Sequence, residues 1–483
     1  MRHLISKGRA VASIAVLVSA VAAGCNSLQE NLLEAPDPDI IDPSQVQSAG
    51  GANAVRLGAL SRLRSVAGGS ESTWLFGGLL ADEWSTSSTF VENDQADERQ
   101  IALDNGSVTA QIRQIYRVRT AADQAIALLR KYRPTPASDI GEMYFARGFA
   151  ELQLASDFCN GIPLSTVDGD SIALSSGFSV ADVFGRAVAS FDSAVASSSG
   201  TDNASVLVNT AAHIGKARAQ LGLGKIVEAG ATVTEITIPT NFSYDITYSN
   251  NGGTNQIYGQ GFSARRYTVG DSVEGNARNL LVTNAIPFFS AHDPRVPASY
   301  TVSANGKDTT KSQDGLTFSR TTTLWGQVTP TPLVNGIDAR LIEAEAALNA
   351  GNPTASNPTL MLSILNALRA QPQVVTKSST SAAGSHPGVT TPAMAALVDP
   401  GTAKGQQDLL FREKAFWTFG RGQRLGDLRR LVRPPYNRLQ DSVFPVGKDH
   451  YRGGSYGGDV NLPVPTAEKN GNPAFNTCTD RKA

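Results

Sequence analysis

The sequence predicts a mainly α protein: a body of tetratricopeptide-like helix pairs with an inserted lobe of loops and short strands. Three observations predict it. Apolar residues recur at three- and four-residue steps over most of 45–230 and again from 331 onward, the spacing of one buried stripe on a helix. Short polar or proline-containing turns separate successive stripes, as in stacked antiparallel helix pairs whose single helices cannot bury their faces alone. Residues 231–330 instead carry Asn, Gly, Ser and Tyr in turn-rich runs. No 34-residue period is clean, so the predicted stack is irregular.

The elements follow in order. Arg2, Lys7 and Arg9 open the chain without an acid, and an uncharged run from Ala10 ends in Val21-Ala-Ala-Gly-Cys25. That run is too short to span a bilayer and reads as the apolar part of a secretory signal over 1–24. Small residues before a cysteine are what a lipoprotein-processing peptidase requires. Cys25 is therefore the expected lipidation site and lipid the expected membrane anchor; ordinary signal cleavage with Cys25 incidental is the alternative. Pro36, Pro38 and Pro43 among several acids make 25–44 a tether.

The N-terminal helical region, 45–230, holds a stripe through Ile112, Ile115, Tyr116, Ala122, Ile126, Leu129 and Tyr132, stopped by Pro134 and Pro136. Ser138 is a candidate N-cap for the next helix. Ser179 with Asp182 opens another, through Val183, Phe184, Ala187, Phe191 and Val195. An Ala-rich helix follows near 206–221. In the lobe, 231–330, Thr232–Ile238 alternates like a strand, and 241–263 reads as loop and hairpin. The C-terminal region, 331–483, resumes with a helix sharing Ile337, Leu341, Ala344 and Leu348 on one face, with Gly351 as its stop. Asn357-Pro358 is a cap followed by proline at the first helical position, ahead of Met361, Leu365 and Leu368. A Ser/Thr/Ala/Gly loop at 377–389 comes next, then helices over 408–419 and 424–432. These are broken at Gly420-Arg421-Gly422 and stopped at Pro434-Pro435, leaving a Gly/Pro-rich coil.

Composition excludes several function classes. Hydrophobic residues are 41% of 483, enough for a core, and 42 basic residues against 43 acidic are too balanced for binding that rests on neutralising phosphates. Removing 1–24 leaves 39 basic against 43 acidic, which argues further against nucleic acid. No later run reaches the ~18 apolar residues of a spanning helix. Apart from Cys25, the cysteines are Cys159 and Cys478; outside the cytoplasm an even remainder invites a disulfide, with two inert thiols as the alternative. No CxxC or Cys/His cluster is present, so no metal site is expected. Gly420-Arg-Gly422…Gly426 is one residue too wide for the dinucleotide fingerprint, and no cofactor is expected.

Four segments, in order, resemble the signatures of the SusD/RagB family of outer-membrane nutrient-uptake lipoproteins. They are Tyr144-Phe-Ala-Arg147-Gly-Phe149…Gly161-Ile-Pro163-Leu164; Arg340-Leu-Ile-Glu343-Ala-Glu345-Ala-Ala-Leu-Asn349 followed by Leu365-Asn-Ala-Leu-Arg369; Arg412-Glu413…Gly422-Gln-Arg424-Leu-Gly-Asp427-Leu428-Arg-Arg; and Leu462-Pro-Val-Pro465-Thr-Ala-Glu468…Asn472-Pro. Asp293-Pro-Arg295 and Cys25 fit as well. The order Arg412-Glu413, Leu425 after the arginine, and Cys159-Asn160 before Gly161 depart from the usual pattern. The resemblance implies a lipid-anchored, surface-exposed protein of the cell outer membrane. It would sit as a lid on a SusC-like TonB-dependent transporter and deliver an oligosaccharide or, as in some relatives, a peptide. It also implies sugar faces held on aromatic rings with polar contacts at the edges.

Other motifs read as structural. Arg424 and Asp427, three apart on a helix, form the expected ion pair locking the last helix to the stack. Glu343 and Glu345 point ~200° apart on a helix and cannot converge on one glycosidic bond. Gly453-Gly-Ser455-Tyr-Gly457 lacks the flanking strand, the following helix and the downstream histidine of a hydrolase elbow. No catalytic residue is expected. Among the aromatics, Trp74, Trp84, Trp325, Tyr244, Tyr248, Tyr258 and Tyr267 fall in the lobe or near early helix ends, whereas Phe416 and Trp417 read as core. Trp84, Tyr258 and Trp325 are the ligand-contact candidates, set against plain packing. The rival readings are a non-transport scaffold lipoprotein and a surface glycoside hydrolase.

Overall fold

The computed structural model describes residues 46–483 except 71, 169–170, 275–278, 304–305, 307–308, 449–453, 476–477 and 479–480. The expected signal segment, Cys25 and the tether lie outside the described residues. Helices α1 (Ala49–Gly68) to α8 (Ile226–Thr234) form the first stretch, with α2 (Thr73–Leu80), α3 (Val91–Asp97), α4 (Gly106–Tyr132), α5 (Ala137–Asp157), α6 (Val180–Ser197) and α7 (Asn203–Gly222) between them. After the strands come α9 (Gly336–Leu348), α10 (Pro358–Arg369), α11 (Ala403–Trp417) and α12 (Arg424–Val432). Each helix from α4 to α8 packs on the next in sequence, α1 covers α4, and α8 hands on to α9. The protein is mainly α, with helix pairs as its repeating unit.

The predicted stripe on α4 is its buried face: Ile112, Ile115, Ala122, Ile126 and Leu129 are all inside. Ser179 and Asp182 form a reciprocal capping box on α6. Close approach between α6 and its neighbours needs small residues, because a Cβ on Gly215 would lie 2.5 Å from the Phe191 ring. The α5 prediction is corrected at its start: the helix begins at Ala137 after Pro136 with no side-chain cap, and Ser138 is buried in the first turn.

Three further expectations are corrected. Thr232–Ile238 is not a strand: through Thr234 it is the last turn of α8. Val233 is buried there, and Gly230 lies against Ala346 of α9, so packing on α9 overrides a local alternation. Helix α9 stops two residues before Gly351, at Asn349, whose φ of +42° supplies the left-handed turn. The 377–389 loop holds a hairpin, Ser379–Ser381 with Gly384–His386, set between the paired strands Val374–Thr376 and Val389–Thr390.

The strands between α8 and α9 are short antiparallel pairs rather than one sheet. Ser243–Ile246 pairs with Thr331–Asn335, which runs directly into α9, and Ala298–Tyr300 pairs with Arg320–Thr322. Trp84–Thr86 reaches up from α2 to pair with Tyr267–Val269, tying this region to the helices.

The signature segments meet in space. Glu413 is shared by Arg295 at 2.7 Å and Arg369 at 3.0 Å, and Asp293 holds the other side of Arg295 at 2.7 Å. Glu345 accepts from Arg430 at 2.5 Å, Lys414 at 2.7 Å and Tyr436 at 2.7 Å. Burial alone would raise its pKa, but Arg430 and Lys414 outweigh that and hold the carboxyl well below the usual range. The expected Arg424–Asp427 pair is corrected: Asp427 pairs with Arg430 at 2.6 Å and Lys414 at 3.0 Å, while Arg424 faces the Glu83 side. At the C-terminal end, Leu462 bridges Phe158, and Cys159 and Cys478 come within 6.0 Å at Cα and are joined through sulfur.

Candidate functional site

The three aromatic candidates separate. Trp84 and Trp325 are brought together, ring centroids 6.3 Å apart, but they lie inside at 2% and 5% exposure. Phe419 covers Trp84 at 4.8 Å. Gly420 takes a φ of +65°, and a Cβ there would meet Trp325 at 2.5 Å. The two indoles are walls of the α11–α12 turn and show no ring face to solvent. Tyr244, Tyr248, Tyr267 and Trp74 are also buried.

Tyr258 is different. It ends a short helical turn, Gln256–Tyr258, that continues into a π turn at Gly259–Ser263. Asn255 caps the turn, accepting from Ile257 N at 2.9 Å, while its amide donates to Thr329 O and Thr331 Oγ1 at 3.1 Å each. The turn is thus fixed to the strand that leads into α9. Four residues on, Phe262 stacks on Tyr258, centroids 5.1 Å apart and planes 17° apart, and remains 46% exposed.

A second exposed ring belongs to the same cluster. The Arg266 guanidinium lies 4.2 Å over the ring of Phe90, which is 38% exposed. Arg266 donates from Nε to Gln313 Oε1 at 2.9 Å and from Nη1 to Gln260 Oε1 at 3.3 Å, and its backbone N–H reaches Gln260 O at 2.8 Å. Ser87 donates to Arg265 O at 3.0 Å and accepts from Asp314 N at 3.1 Å, which clamps the Phe90 segment to both neighbouring turns. The arrangement offers two apolar ring surfaces joined by amides and one guanidinium, suited to a ligand with flat C–H faces and hydroxyl edges.

Of the residues in this cluster, the sequence singles out only Tyr258, and not Phe90, Phe262, Arg266, Gln260 or Gln313. The Tyr258/Phe262 spacing of four was a usable signal; the approach of Phe90, far away in sequence, was not.

The two carboxylates weighed for hydrolysis, Glu343 and Glu345, are held apart. Glu345 is buried in its cationic cluster, whereas Glu343 is half-buried and pairs with Arg340 at 2.6 Å. Ser455 bridges Lys448 in an irregular loop, and His450 lies outside the described residues. Among the described residues no group of three His, Cys, Asp or Glu is placed to hold a metal, and no helix is long and apolar enough to cross a membrane.

No family model and no curated protein matches the sequence. Solved structures do match its shape. A SusD superfamily protein from Bacteroides vulgatus ATCC 8482 aligns over 89% of this chain and 99% of its own, at 15% identity and a TM-score of 0.56. A SusD-like protein from Bacteroides fragilis NCTC 9343 aligns over 92% and 100%, at 12% identity and a TM-score of 0.61. A laminarin binding SusD-like protein aligns over 89% and 99%, at 13% identity and a TM-score of 0.54.

Proposed function

The chain has the SusD-superfamily fold, and on that premise we propose that it is a SusD-like carbohydrate-binding protein that captures ligand without chemistry. The glycan would lie on the Tyr258–Phe262 and Phe90–Arg266 surface, with Gln313 at its hydroxyl edge and buried Gln260 holding Arg266 from behind. The observation that carries this reading is the exposed Phe262 ring stacked on a half-buried Tyr258, beside the exposed amide of Gln313. The kinship in shape to a laminarin binding protein supports a glycan as the class of ligand. Trp84 and Trp325 then act behind the site, as the packed base of the neighbouring strand, and no longer as ring platforms. Delivery to a SusC-like TonB-dependent transporter, and anchoring to the outer membrane by lipid on Cys25, complete the proposal.

Titration of a panel of soluble polysaccharides by calorimetry is expected to find a binder. Phe262→Ala and Tyr258→Ala should each weaken binding about 3–10-fold, with the fold retained by circular dichroism. Unchanged affinity in both variants would remove this surface from the site. For the anchor, Cys25→Ala should shift the protein from the membrane to the soluble fraction; an unshifted fractionation profile refutes lipidation there.

A further inference from the structure

Where α7, α9, α11 and α12 meet, the protein has a narrow recess of about 40 Å³, beside an outer pocket of about 500 Å³ that shares Leu221, Gly222, Arg430 and Arg433 with it. Basic groups dominate the inner space. Arg218, Lys414, Arg429, Arg430 and Arg433 line it, against Asp338 and Asp427.

The acids are already engaged. Asp338 takes both terminal nitrogens of Arg421, at 2.9 and 2.8 Å. Asp427 is shared by Lys414 and Arg430, as is Glu345 behind it. Arg429 donates to the carbonyls of Ala155 and Ser156 at 3.1 and 2.5 Å. Asp157 stands nearby, but burial pushes its carboxyl up to about 7, so near neutrality it supplies only part of a negative charge.

Arg218 is the group left over. It donates to Leu333 O at 3.1 Å and, among the described residues, has no carboxylate within ion-pair distance. Burial draws its pKa down to about 10, with Asp338 acting against that and Arg421 adding to it. Arg218 is part-buried and, among the described residues, lacks a carboxylate partner, so an anion beside it would gain both charge and hydrogen bonds.

We propose that this recess binds one small oxyanion, a sulfate, phosphate or carboxylate group, seated against Arg218 and balancing the charge of the α7–α9–α11–α12 junction. The volume suits a few waters or one such group and is far too small for a sugar ring, so the site is separate from the glycan surface. Guanidinium forks match oxyanions in geometry and charge. The anion is either a free inorganic ion or a carboxylate on a larger ligand whose remainder fills the outer pocket.

The test is thermal unfolding of the full chain at constant ionic strength, with sodium chloride exchanged for sodium sulfate and, in parallel, for sodium glucuronate. A rise in Tm that is steepest at low concentration and becomes logarithmic above Kd is expected, about 3 °C at a hundredfold excess over Kd. That curvature separates site binding from the general stabilising effect of sulfate, which grows steadily with concentration. Arg218→Met, which keeps the apolar stem, should lose the logarithmic component with its fold retained by circular dichroism. Response to sulfate alone assigns a free ion; response to glucuronate as well assigns a ligand-borne carboxylate. The proposal is overturned if wild type shows only a linear shift over chloride, or none, or if Arg218→Met keeps the logarithmic component. Should that variant not fold, calorimetric titration of wild type with sulfate decides: one-site heat supports the proposal and no heat overturns it.

Discussion

Gly420 and Gly422 each take a φ of +65°, and side chains crowd both. A Cβ on Gly422 would fall 2.1 Å from Trp74, and one on Gly420 2.5 Å from Trp325. Two indoles therefore wall the turn between α11 and α12, which is why tryptophans that looked available in the sequence are packed away. Gly315, at +69°, has open space around it and isolates the backbone cost alone. Gly315→Ala should cost about 1–2 kcal/mol, and Gly420→Ala about 3–5 kcal/mol once overpacking is added, both read by urea unfolding. Equal costs would show that the wall can yield. The break at 420–422 was legible from two glycines around an arginine. The identity of its walls was not, because Trp74 and Trp325 are far from it in sequence.

Among the elements, α9 shows best what local chemistry can and cannot say. Asn335 accepts from Asp338 N at 2.9 Å, and Asp338 accepts from Asn335 N at 3.0 Å, a capping box readable from the residue types. Asn335→Ala should lower stability by about 1–2 kcal/mol in the same unfolding assay; a change under a few tenths would mean the cap is dispensable. Its other end was misread because asparagine also tolerates the left-handed region, so Asn349 ends the helix before Gly351 can. The α8 error has a different origin. Thr232–Ile238 does alternate, but a nine-residue helix needs little more than one buried face, and α9 provides it. Charge partners were the least legible. Asp427 was assigned to the cation three residues before it and bonds the one three residues after, together with Lys414 from α11. Helical spacing permits both choices, and only the approach of α11 selects one.

At the scale of the molecule, two buried carboxyls make stability depend on pH. Burial pushes Glu83 up to about 8, with the Gly420 N–H and Arg424 opposing, and Asp157 up to about 7, with Gln153 and Thr73 opposing. Unfolded, they titrate near 4.5 and 3.8. Between those limits the folded chain holds the extra protons, so stability falls as pH rises from about 4.5 to 8. Tm should therefore decline across that range, and Glu83→Gln should flatten the decline while keeping the acceptor for Gly420. A parallel profile in the variant would exclude Glu83 as the source. Glu345 works in the opposite sense: its contribution is present above the ordinary carboxylate range and is lost as pH falls below it.

Taken alone, the sequence determined the mainly α class, most helix positions and the resemblance carried by the four signature segments. Periodicity, caps and motif order are properties of neighbouring residues, and the chain carries them before it folds. Only the tertiary structure decided which rings face solvent, which acid each buried cation meets, and where positive charge is left in excess. Those outcomes depend on groups 69 residues or more apart arriving within a few ångströms: Phe90 beside Arg266, Glu345 beneath Lys414 and Arg430, and Arg218 at a recess whose acids are already taken.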